Sequence, residues 1–67
     1  MGNINIRIRA FRKLKGMTQM ELAEQIGVSV AVLGAVERGT RTPDLLLLEK
    51  ISSALHIEID ELINKQN

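Results

Sequence analysis

Three glycines and a proline divide this chain more firmly than anything else in it. Gly16, Gly27 and Gly39, the last leading into Thr40–Pro43, cut the sequence into segments of roughly helical length. Within the segments apolar residues recur at three and four positions, which is the helical period. No cysteine occurs among the 67 residues, so no disulfide can staple the fold. A chain this short buries only about 60% of the surface its unfolded form exposes. It therefore requires very efficient helix packing or self-association. His56 is the only histidine and cannot build a metal site alone, so neither a metal nor a cofactor is expected.

The segments predict five helices in a single all-α domain spanning 1–67. The first places Ile4, Ile8 and Phe11 on one face and stops at Gly16. Thr18-Gln19-Met20-Glu21 reads as a capping box, in which the Thr18 hydroxyl and Glu21 carboxylate satisfy each other's backbone N–H groups. The second helix buries Leu22, Ala23 and Ile26 and ends at Gly27; Ser29 then caps a third that runs to about Arg38. Pro43 cannot continue a helix and Asp44 caps a fourth, whose stripe reads Leu45, Leu48, Ile51 and Leu55. His56 stands where the chain must turn, and a fifth helix, Glu58 to Lys65, is anchored by Ile59, Leu62 and Ile63.

Charge is divided unevenly. Residues 1–20 carry Arg7, Arg9, Arg12, Lys13 and Lys15 and no acid, while residues 21–67 carry four basic and eight acidic residues. A net charge of only +1 can therefore conceal a positive face. Arg7, Arg9 and Lys13 read either as a solvated helix face or as long-range attraction for a polyanion. The longest apolar run, Leu45–Leu48, falls far short of the ~20 residues a bilayer span needs. No signal peptide is apparent, and Ile6 stands where a myristoylation signal wants Ser or Thr. The expectation is a cytoplasmic protein with no membrane partner.

Two short helices joined by a glycine turn, here at about 18–39, are the core of the helix-turn-helix. Ala23 is small where the helices cross, Gly27 permits the turn, and Val28, Leu33 and Val36 plug the second helix onto the first. Gly16-Met17-Thr18-Gln19, Glu21-Leu22-Ala23, Gly27-Val28-Ser29, Glu37-Arg38-Gly39 and Arg41-Thr42-Pro43 resemble the phage-repressor-like (Cro/cI, or XRE) transcription regulators. The resemblance covers about Ile4 to Ile63. It implies a non-enzymatic, five-helix, sequence-specific DNA-binding regulator, usually a homodimeric repressor on a two-fold-symmetric double-stranded operator. It implies that helix three enters the major groove, that Gln19 lies at the DNA surface, and that the N-terminus of helix two faces a phosphate; Thr18, at that N-terminus, is also expected to bind DNA. It also implies a structural pair between Arg12 and Glu37.

The recognition helix departs from the family's habit. With Leu33 and Val36 facing inward, Ala31, Gly34, Ala35 and Arg38 are predicted to point outward, with Val30 at the DNA end. Val30, Ala31, Gly34 and Ala35 offer no side-chain hydrogen bond to a base edge. Three readings stay open. The helix reads thymine methyls, with Gly34 letting the backbone come close; or it reads little, and Gln19, Arg38 and Arg41 bind phosphates; or it binds a protein, as in an antitoxin or a modulator of a partner regulator. Thr40 and Arg41, in the loop after helix three, are expected to contact the phosphate backbone. Leu46 and Leu47 fall outside the core stripe and, with Ile59 and Ile63, are expected at a dimer interface. Asp60 and Glu61 suit a helix's first turn and lack the cleft and base that catalysis requires.

Overall fold

The computed structural model describes residues 4–63. Five helices follow one another: α1 Ile4–Leu14, α2 Gln19–Ile26, α3 Val30–Arg38, α4 Leu45–Leu55 and α5 Ile59–Ile63. No strand occurs among the described residues. The expected end of the fifth helix at Lys65 lies outside them.

The caps form as the sequence predicts. Thr18 Oγ1 accepts from Glu21 N at 3.0 Å, and Glu21 Oε1 accepts from Thr18 N at 2.8 Å, completing the capping box. Ser29 Oγ accepts from Val32 N at 3.1 Å and Asp44 Oδ1 from Leu47 N at 2.8 Å. Gly27 closes α2 in the left-handed region at φ 76°, and the next N–H, that of Val28, reaches back to Ala23 O at 3.1 Å. That is the Schellman closure, and it points the chain from α2 into α3 within three residues. His56 makes the same closure after α4 at φ 58°, the one non-glycine among the described residues with positive φ.

The core gathers Ile8, Leu22, Ala23, Ile26, Leu33, Val36, Leu48, Ile51, Leu55 and Leu62, with Ile4, Phe11, Met17, Val28, Leu47 and Ile59 packed around it. α1 lies against α3, α4 and α5; α2 lies against α3 and α4. Two sequence expectations for α4 are corrected. Leu45, assigned to the core stripe, is 61% exposed, and Leu47, assigned to the surface, packs on the core. At 100° per residue Leu47 lies only 40° from the central Ile51, whereas Leu45 lies 120° away. Leu46 faces outward as expected, 60% exposed.

Arg7 is also not a simple solvated charge. It is half-buried, its Nε donates to Glu61 O at 2.6 Å, and its guanidinium sits 5.9 Å from the Phe11 ring centroid. The contact ties α1 to α5. Ile6 shares the alternation Ile4-Asn5-Ile6-Arg7-Ile8 with two core residues, yet a helix turns it to the opposite side, 61% exposed.

Candidate nucleic-acid interface

Where α2 begins, it lies beside the middle of α3, and one carboxylate organises the junction. Arg12 reaches from α1 and donates to Glu37 twice, Nε to Oε2 at 2.7 Å and Nη2 to Oε1 at 3.0 Å. Both residues are buried, so the pair exists as bidentate geometry in a desolvated place. Its remaining donor, Nη1, bonds Met17 O at 2.8 Å and holds the approach to α2. Glu37 Oε1 also accepts from Gln19 Nε2 at 3.1 Å. Burial alone would raise the Glu37 pKa, but the hydrogen bonds from Arg12 and Gln19, with the charges of Arg12 and Arg9, hold it below the ordinary glutamate value.

Gly34 answers to this arrangement. It is buried, not presented outward as the helical rotation suggested. A Cβ there would lie 3.1 Å from Arg38 Nη1 and 3.8–3.9 Å from the Gln19 amide atoms. The two side chains lie over the glycine backbone. At 100° from Leu33 the position is a flank, shared with Glu37, and the missing side chain leaves the groove that Gln19 and Arg38 occupy. The backbone expected to be bare at Gly34 is instead covered by the Gln19 and Arg38 side chains.

The other expected contact residues are distributed as follows. Val30 is 43% exposed, and Ala31, Thr18, Arg38, Thr40 and Arg41 are exposed, whereas Ala35 and Gln19 are half-buried. Thr40 is engaged inward, with both its N–H and its hydroxyl donating to Ala35 O, at 3.0 and 3.2 Å. A phosphate contact from its hydroxyl requires that bond to break. Thr18 uses its hydroxyl oxygen as an acceptor in the cap, which leaves its proton free to donate. Ile63 is 39% exposed and Ile59 half-buried on α5.

Sequence reasoning missed two polar ties. The Gln19–Glu37 bond is one. The other is Asn5, whose Nδ2 donates to Glu37 O at 3.4 Å and rests over Gly39. Asn5 and Arg12 share the inward face of Ile8, at i, i+3 and i+7, and polar residues in step with an apolar stripe are the signal that was available. Among the described residues no three metal-ligating side chains cluster, and no helix is long and apolar enough to cross a membrane.

Comparison with known proteins fits this geometry. The helix-turn-helix family profile matches residues 8–62. The uncharacterized HTH-type transcriptional regulator YazB of Bacillus subtilis (strain 168) is 50% identical over 56 residues, covering 84% of this chain and 81% of YazB. The HTH-type transcriptional regulator SinR of the same organism is 37% identical over 65 residues, and the chain spans 59% of its length. Among solved structures, the restriction-modification controller protein C.AhdI from Aeromonas hydrophila superposes with a TM-score of 0.87 at 38% identity, covering 90% of this chain and 91% of that one. The chain belongs to the helix-turn-helix DNA-binding transcriptional regulators of the Cro/cI (XRE) type.

Proposed function

We propose that the domain is a homodimeric repressor that lays α3 in the major groove of a two-fold-symmetric operator. Val30 and Ala31 touch thymine methyls, the one apolar feature that distinguishes a base in that groove. Gln19 supplies the hydrogen-bonded readout, the N-terminus of α2 with the Thr18 hydroxyl takes a phosphate, and Arg38 and Arg41 bind the flanking backbone. Thr40 and Ala35 line the same surface.

The carrying observation is the Gln19 amide clamped by Glu37 over Gly34. An amide has two N–H groups and a carbonyl. With one N–H given to an ionised carboxylate, the other N–H and the oxygen stay on offer in a fixed orientation, beside the outward methyls of α3. Ordering a side chain in advance lowers what binding must spend on it. Leu46 and Ile63, with Leu47 and Ile59 partly covered, supply the apolar surface for the second protomer. Half-sites then lie about one helical turn apart, roughly 34 Å. Binding, not catalysis, is the activity assigned, and it is exercised in the cytoplasm.

The test begins with selection of an operator from random duplex DNA. Each operator thymine is then replaced by uracil, which deletes the methyl and keeps the pairing. Affinity should fall at about one or two positions per half-site, and Ala31→Gly should erase one of those differences. If every uracil operator binds as well as the original, α3 is a passive spacer or a protein-binding surface. Sedimentation of a monomer at high concentration, with and without operator, would remove the dimer from the reading.

A further inference from the structure

The outward face of α1 takes no part in the proposed DNA contacts. Ile6, Ala10 and Leu14 stand at i, i+4 and i+8 on the side away from the core, with Ile6 61% and Leu14 75% exposed. Beside this stripe Arg7, Ala10, Phe11 and Leu14 line an open hollow of about 350 Å³. Those four positions are i, i+3, i+4 and i+7 of one helix. Four residues in that relation frame the hole that receives a side-chain knob when two helices pack. Ala10 keeps the centre of the hole low and Phe11 walls one side. Arg7 is held at the rim by its bond to Glu61 O and its seat over the Phe11 ring.

The surrounding charge specifies the visitor. Arg9 and Lys13 are exposed along one flank of the stripe and Arg7 borders the other. Lys15 follows, and no acidic residue precedes Glu21 in the sequence. We propose that this face of α1 docks an acidic amphipathic helix of a partner protein. One apolar knob of that helix enters the hollow, and its flanking Glu or Asp side chains pair with Arg9 and Lys13.

Other occupants fit less well. A second copy in two-fold contact would set these cations against their own equivalents, a like-charge arrangement that opposes association. Nucleic acid would satisfy the cations but leave Ile6 and Leu14 facing phosphates. For an anionic bilayer the stripe is short, about 12 Å from Ile6 to Leu14, and one of its three members is alanine, which is little apolar area for interfacial anchoring.

A displayed library of helical peptides provides the probe, each about 20 residues long so that it can hold a helix. The library varies one apolar seam and allows Glu or Lys at the flanks. It is selected on the full chain and counter-selected on Leu14→Glu. The expected winners carry acidic flanks, and they bind Ala10→Leu, which fills the hollow, about tenfold more weakly. Both substitutions lie at exposed positions, so helical content and operator affinity should match the wild type, which separates this site from the DNA reading. Several results overturn the proposal: winners that do not discriminate against Leu14→Glu, winners with basic flanks, or no winners at all. Self-association that Leu14→Glu abolishes, or binding of phosphatidylglycerol vesicles without any peptide, would assign the face to another occupant and overturn it equally.

Discussion

Arg12 and Glu37 meet across the α1–α3 contact as a two-pronged buried pair, at 2.7 and 3.0 Å, and the oxygen at the longer contact also receives the Gln19 amide. One carboxylate thus joins the first three helices: α1 through Arg12, α2 through Gln19, and α3 by belonging to it. The packing of the domain and the orientation of its candidate base-reading side chain depend on the same two charges.

Removing one partner leaves the other charged and desolvated. Arg12→Ala or Glu37→Ala should cost about 3–5 kcal/mol, against a total stability of roughly 3–10 kcal/mol for a chain of this length. Replacing both, as Arg12→Met with Glu37→Leu, should restore much of the loss, although Met17 O loses its donor. Urea denaturation of the two singles and the double decides it. A double variant no more stable than the worse single would contradict the account. The restored double should still bind operator poorly, because Gln19 has lost its anchor.

The pair also sets an acid limit. The folded-state pKa of Glu37 lies below its unfolded value, which is about 4.3 in model peptides. The stability it contributes is therefore complete above that value and drains away as pH falls through the lower folded one. In denaturation curves taken across this range, the gap between wild type and Glu37→Gln should narrow toward acid. A gap that widened would mean that the sign is wrong.

Gly34→Ala separates stability from binding. Alanine is worth up to about 1 kcal/mol over glycine inside a helix, and the new methyl meets only the mobile tip of Arg38 at 3.1 Å, with Gln19 in ordinary contact. The variant should melt slightly higher and bind operator more weakly, because Arg38 must move. Unchanged affinity would show that the position of Arg38 over Gly34 is immaterial.

His56→Gly relieves a left-handed residue at the end of α4. The strain of φ 58° is on the order of 1–2 kcal/mol for a side-chain-bearing residue, partly offset by the greater freedom of glycine in the unfolded chain. A net gain of about 0.5–1 kcal/mol is expected by denaturation. A loss would mean that the imidazole makes compensating contacts.

Arg41 is exposed in the loop after α3 and should meet phosphate. Arg41→Ala should weaken binding about equally on all sequences and lower the salt slope by about one unit. Loss of discrimination at a single base pair with an unaltered slope would reassign Arg41 to base readout.

Much of this molecule is legible in its sequence. The glycine spacing, the Thr18, Ser29 and Asp44 caps and the inward stripes are local instructions. Each acts through backbone groups within a few residues, so the number of helices and the turns that separate them followed from the sequence alone. Whether a residue on a helix flank is covered is another matter. Gly34 was misplaced because burial on a helix flank depends on which side chains cross the gap, here Gln19 and Arg38, whereas the rotation of α4 already puts Leu47 40° and Leu45 120° from Ile51 and was misapplied. Ile6 alternates with two core residues, and the helical turn sends it outward. The Gln19–Glu37 bond joins residues 18 apart in the chain, and no local pattern encodes a hydrogen bond formed only when α2 packs on α3. The helices and the turns between them are written locally, because capping and helical periodicity are short-ranged. Only the packed helices settle how Gln19 is presented, because its anchor Glu37 lies on a second helix and is itself held by Arg12 from a third.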